Sequence, residues 1–108
     1  MALPHAASAD VITVGRGAQD FSRFSAHALA KTKELELVRL ILPKGKSMPE
    51  HHVPGELTLL CLEGEIVVDV HGKQRTLHAG EMLYLFGGQA HALRAEQDAV
   101  ALLTILLV

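Results

Sequence analysis

The apolar residues of this chain fall in short runs interrupted by turn residues, and nowhere do they hold a helical period over a long stretch. Residues 35–42 read as a strand that stops at Pro43-Lys44-Gly45. Residues 57–62 form a second, ending in the turn Glu63-Gly64. Residues 65–70 follow, with Ile66, Val68 and Val70 on one face. His71-Gly72-Lys73 reads as a hairpin turn into a strand at 74–78. Ala79-Gly80 leads into 82–86, and strands at 91–94 and 100–107 complete the set. Before residue 35 the pattern is weaker. Residues 1–10 read as a loose end, and 11–14 as a short β-prone piece closed by Gly15-Arg16-Gly17. Residues 19–33 hold either a short strand around 26–30 or a single helical turn. This rhythm predicts an all-β, antiparallel sandwich or barrel, with less than about one residue in ten in α-helix. The barrel is expected over residues 35–108. Residues 1–34 form an N-terminal segment whose one or two short strands pack on the barrel or on a partner.

Composition agrees. At 108 residues the chain has room for one domain with a core, and a hydrophobic content of 49% excludes disorder. Aromatic residues make up 4% and tryptophan is absent, so the core must be mainly aliphatic. A net charge of −2 and the lack of a basic, aromatic-bearing patch argue against nucleic-acid binding. The single cysteine, Cys61, lies in an apolar strand and reads as a buried, inert thiol with no disulfide partner in the chain. Residues 1–10 lack the pattern of a signal peptide, and the apolar stretch 99–108 is too short to span a bilayer. The expectation is a soluble cytoplasmic protein with neither nucleic acid nor membrane as partner.

The string Gly80-Glu81-Met82-Leu83-Tyr84-Leu85-Phe86-Gly87-Gly88-Gln89-Ala90-His91 carries the clearest signal. Gly80, Gly88 and His91 match the spacing of the second signature of the cupin superfamily; Phe86 stands in its proline place and Ala95 in its asparagine place. The first cupin signature runs from Gly45 through His51, Val53 and Leu57 to Gly64 without a gap. Both glycines and the first histidine match, while Val53 and Leu57 occupy two positions where that family carries metal ligands. The chain thus resembles a small single-domain cupin in its frame and departs from it in the chemistry. The resemblance spans roughly residues 35–108 and implies an antiparallel, double-stranded jelly-roll β-barrel. It also implies that His91 faces the barrel interior.

Two registers are open. In the first, His51 and His91 are the metal-site residues, and they are expected to face each other across an aliphatic interior lined by Val53, Leu57, Leu59 and Leu93. In the second, shifted by one residue, Glu50, His52, Glu56 and His91 form a four-ligand set, which needs a bulge before Gly64. Side-chain alternation favours the first: Leu57, Leu59 and Cys61 share a wholly apolar face, whereas Glu56 and Thr58 begin the other. His52 and Glu56 are then expected to point outward. His5, His27, His71 and His78 sit in no such frame and read as structural or exposed.

Two histidines are fewer than the three or four protein ligands of most mononuclear sites. Any divalent transition metal (zinc, nickel, iron, manganese or copper) is therefore expected to be weakly held or absent. The principal reading is a binding module whose barrel pocket takes a small organic ligand. An alternative is a metal-dependent cupin enzyme of dioxygenase, isomerase or decarboxylase type that uses His52, Glu56 and His91. A further alternative is a structural or partner-binding barrel. No catalytic residue, phosphate loop or nucleophile elbow is legible. The apolar end strand and the outward Leu60 and Leu62 point to a homodimer.

Overall fold

Among the described residues, period-two alternation of side chains becomes nine antiparallel strands in two sheets. The computed structural model describes residues 5–17 and 19–108, and none of these lies in an α-helix. The strands are β1 (Ser25–Lys31), β2 (Leu35–Leu42), β3 (Ser47–His51), β4 (Leu57–Glu63), β5 (Glu65–Val70), β6 (Lys73–His78), β7 (Met82–Leu85), β8 (His91–Ala95) and β9 (Ala99–Leu106). One sheet has the order β1-β2-β9-β4-β7 and the other β3-β8-β5-β6. The two layers make the expected jelly-roll barrel.

Side-chain faces follow the sequence reading. Leu57, Leu59 and Cys61 are 4%, 2% and 0% exposed and point into the core, whereas Thr58, Leu60 and Leu62 lie half-buried on the outer face. Leu40, Leu42, Leu59, Ile66, Val68 and Leu93 belong to one buried aliphatic cluster between the sheets. Each such side chain contributes about 1.5–3 kcal/mol relative to an exposed one. The β5–β6 hairpin turns on His71 and Gly72, whose φ angles of 54° and 74° are both positive, as a type I′ turn requires. Asp69 supports the turn by accepting from the Gly72 amide at 3.0 Å.

Two expectations for the N-terminal segment are resolved differently. The ambiguous stretch 19–33 contains a strand, β1, which pairs with β2 and carries a bulge between Ala28 and Ala30. The β-prone piece 11–14, by contrast, joins no sheet. Its backbone is used instead as an acceptor: the carbonyls of Thr13 and Gly15 take bonds from the Arg39 guanidinium. The loose end expected at residues 1–10 lies outside the described residues at 1–4, and Ala6 beyond it is tied to β1 through a 2.9 Å bond to the Leu29 carbonyl.

Candidate functional site at the end of the barrel

β3 is an edge strand, and Pro49 lies within it. Proline cannot donate to a ladder and is tolerated at an edge or a bulge. The β3–β8 register shows the consequence: Met48 pairs with Leu93 and His51 with His91, so one extra residue bulges out of β3. That insertion puts Met48 and His51 on the same inward face although they are three apart, and both line the barrel cavity. His51 and His91 are therefore neighbours on adjacent strands of one sheet. This corrects the expectation that they face each other across the interior; the extra residue beside Pro49 was not legible in the pattern.

The two imidazoles pack with centroids 4.4 Å apart and planes tilted by 56°. His91 is 3% exposed, while His51 lies at the open edge. The Nδ1–H of His91 donates to the Gln89 carbonyl at 3.0 Å, and the Nδ1–H of His51 donates to the Pro49 carbonyl at 3.1 Å. A carbonyl only accepts, so each Nδ1 carries a proton and each Nε2 keeps a lone pair when the ring is neutral. Burial pushes the His91 pKa below its ordinary value of 6.5, against the raising effect of the Gln89 carbonyl; His51 and His52 push it further down. His91 is thus neutral at pH 7 and offers Nε2 as a base or ligand atom.

The cavity beneath the pair is small. Its volume is about 20 Å³, and Leu40, Leu57, Leu59 and Leu93 are among its walls. That is room for about one water molecule and not for an organic ligand. Val53 is not in the lining; it packs against Leu57, Leu85 and Ile105. The residues of the shifted register are not gathered. Glu50 and His52 are exposed, and Glu56 accepts a 2.5 Å bond from the Tyr84 hydroxyl. Among the described residues no group of three His, Cys, Asp or Glu side chains converges on one point. The donor set here fits two imidazole nitrogens on a divalent cation and does not fit the fuller shell that a firmly held catalytic metal needs.

Beside this cavity lies a larger space that the sequence did not reveal. β6 and β7 are the edges of opposite sheets and are not paired with each other. Between them is a cleft of about 450 Å³, floored by Val70, Leu83, Leu85 and Phe86. Leu83 and Leu85 form part of both this cleft and the histidine cavity. Lys73, Arg75 and Leu77 share one face of β6, opposite Val70, Val68 and Ile66. Leu77 is buried in the core, so the two cations extend the inward face into the open slot. Gln89, 8% exposed, also lines the cleft; its side-chain amide donates to Nε2 of His71 at 2.6 Å. Gln89 thus holds both groups, through its carbonyl to His91 and its side chain to His71. The signal for it was a polar residue beside the histidine in Gly88-Gln89-Ala90-His91.

Comparison with known proteins agrees with this frame. A family described as "Cupin domain" matches residues 38–108. None of the curated proteins compared with the chain matches it significantly. Among solved structures, a cupin superfamily protein from Desulfitobacterium hafniense is 17% identical with a TM-score of 0.82, covering 100% of this chain and 99% of that one. An RmlC-like cupin from Desulfovibrio desulfuricans is 22% identical with a TM-score of 0.73, covering 96% of each. A Streptococcus pyogenes protein of unknown function is 19% identical with a TM-score of 0.76, covering 94% of this chain and 98% of that one. At these identities the likeness concerns the fold. With the family match covering β2's second half through β9, and with His51 and His91 paired at the end of the barrel, the chain belongs to the cupin-domain family.

Proposed function

We propose that this protein is a binding module for a small, amphipathic organic anion, which lies in the cleft between β6 and β7. The observation that carries this reading is the contrast of volumes: about 20 Å³ beneath the histidines against about 450 Å³ in the cleft. Ligand sites are typically clefts of roughly 300–1,000 Å³ with apolar walls and a few convergent polar groups. Leu83, Leu85, Val70 and Phe86 supply the apolar wall, and Lys73 and Arg75 pair with an acidic group. The His51–His91 pair, behind Leu83 and Leu85, holds at most a weak zinc, nickel or copper ion through its two Nε2 atoms.

Anilinonaphthalene sulfonate, an apolar anion, tests this reading. Its fluorescence should rise on binding, and reversing both charges (Lys73→Glu with Arg75→Glu) should weaken binding by at least about threefold. Undiminished binding by the double variant, with loss in Met82→Glu on the outer sheet face, would place the probe elsewhere and defeat the reading.

A homodimer accompanies this proposal. Met82, Tyr84 and Leu106 on the outer face of the five-stranded sheet are 60%, 58% and 45% exposed, and Leu60 lies half-buried beside them. The N-terminal loop reaches Arg39 on β2 and, through Arg16, Glu63 at the end of β4, while the outer side chains Met82 and Tyr84 of β7 stay exposed. A second copy related by a two-fold axis brings this apolar face against itself, burying more than about 1,000 Å² in total. Sedimentation at micromolar concentration should show twice the 11.6 kDa chain mass; a species of 11.6 kDa contradicts it.

A further inference from the structure

Arg39 sits in β2 between Val38 and Leu40, which pack with the core, so its side chain leaves the opposite face of the sheet. It is nevertheless only 8% exposed. Its Nη1 donates to the carbonyls of Thr13 and Gly15 at 3.2 and 3.1 Å. Its Nη2 lies 3.2 Å from Nδ1 of His27, on the neighbouring strand β1. A guanidinium can only donate, so Nδ1 of His27 accepts and the ring proton sits on Nε2. This fixes two further donors, the Nε–H of Arg39 and the Nε2–H of His27. Both are buried, and among the described residues neither has a partner. Among the described residues no ion pair involves Arg39. A buried cation that forms no ion pair and two buried donors with no acceptor among the described residues are each costly. Together they describe half of an interaction whose other half is an anion.

The space for it is adjacent. Arg39 and His27 line a cavity of about 430 Å³ between the sheet and the N-terminal loop, with His5, Asp10, Ile12 and Leu29 in the same lining. We propose that this cavity binds a small aliphatic monocarboxylate. Its oxygens accept from Arg39 Nε–H and His27 Nε2–H, and its alkyl chain lies against Ile12 and Leu29. Burial favours a single negative charge: the Arg39 cation is buried beside the ligand, whereas the one carboxylate in the lining, Asp10, is exposed to solvent. Arg39 supplies one positive charge, and the Asp10 carboxylate, which accepts from the Ala7 amide at 2.8 Å, stands in the same lining and repels a dianion. The loop carrying residues 5–13 forms one wall of the cavity, which is open to solvent on the side of His5, Asp10 and Val11. This site is separate from the β6–β7 cleft, and neither depends on the other.

The test is a titration of the full chain with butyrate, followed by ¹H–¹⁵N resonances of the Arg39 Nε–H and His27 Nε2–H groups. Butan-1-ol serves as the neutral comparator and inorganic phosphate, with all titrations run above about pH 8 where its dianion dominates, as the dianionic one. Butyrate should shift both resonances saturably and butan-1-ol neither. His27→Phe, which keeps a ring but removes the donor, should weaken butyrate about tenfold. Arg39→Gln should abolish binding, and if that variant fails to fold, His27→Phe carries the test alone. Absence of a saturable shift, or unchanged affinity in His27→Phe, overturns the proposal. Phosphate binding as tightly as butyrate overturns the assignment to a monocarboxylate.

Discussion

Replacing Gly64 with alanine is expected to destabilise the protein by about 2–5 kcal/mol, the sum of a left-handed backbone and a steric collision. Gly64 links β4 to β5 at φ 84°, a conformation that costs a side-chain-bearing residue about 1–2 kcal/mol. A Cβ there would lie 2.1 Å from the carbonyl oxygen of Asp98, and backbone cannot swing aside as a flexible side chain can. Overpacking of this kind adds about 1–3 kcal/mol. Domains of this class are stable by only about 5–15 kcal/mol, so the loss takes a large share of the total. Gly45 provides the control. Its φ is 87°, yet a Cβ there would meet nothing within 4 Å. Urea midpoints should fall modestly for Gly45→Ala and much further for Gly64→Ala. Equal falls would show that the approach of Asp98 carries no energetic weight.

Leu57→His is expected to strengthen zinc binding by roughly tenfold or more, by raising the imidazole count from two to three. Leu57 opens β4 and lines the same small cavity as His51 and His91. It is 4% exposed, so the new ring would enter a largely aliphatic wall. Without metal, burying that polar group costs about 1–3 kcal/mol of stability. Zinc should recover part of the loss, because binding to the folded form alone stabilises it. Competition with a chromophoric chelator reads the affinity, and thermal unfolding with and without zinc reads the coupling. Val53→His is the comparison, since Val53 packs against the cluster of Leu57, Leu85 and Ile105 but does not itself line the cavity. Should Leu57→His bind zinc no better than the native chain, its side chain does not point where the histidines do.

Much of the barrel was legible because its strands are bounded by residues with clear mechanical roles. Gly64, Gly72 and Gly80 all adopt positive φ at the turns where they were expected, and the wholly apolar face of Leu57, Leu59 and Cys61 became core. The inward position of His91 followed from the same frame. What escaped was set by irregularity or by packing in three dimensions. β3 is short, exposed and interrupted by Pro49, so it carries no alternation from which a strand or its bulge can be read. The size of the histidine cavity depends on how far Leu40, Leu83 and Leu103, from three different strands, fill the interior, which no local pattern encodes. The β6–β7 cleft arises because two edge strands from opposite sheets stay unpaired. Arg39 did leave a trace, a cation within the otherwise apolar Val38–Leu42 stretch. Its partners Thr13 and Gly15 are far away in sequence, and their role lies in the backbone.

The central proposal is that this cupin barrel carries a histidine pair without the fuller ligand shell of a resident metal centre, and that it binds a ligand in the cleft beside that pair. Elemental analysis of the native chain, purified without chelator and dialysed against metal-free buffer, tests this most directly. The account predicts well under one equivalent of any transition metal per chain, with the residue lost in His91→Ala and unaffected in His52→Ala. Retention of one full equivalent of nickel, iron, manganese, copper or zinc would contradict it. Loss of that metal in His52→Ala but not in His51→Ala would show that the ligands come from the other register.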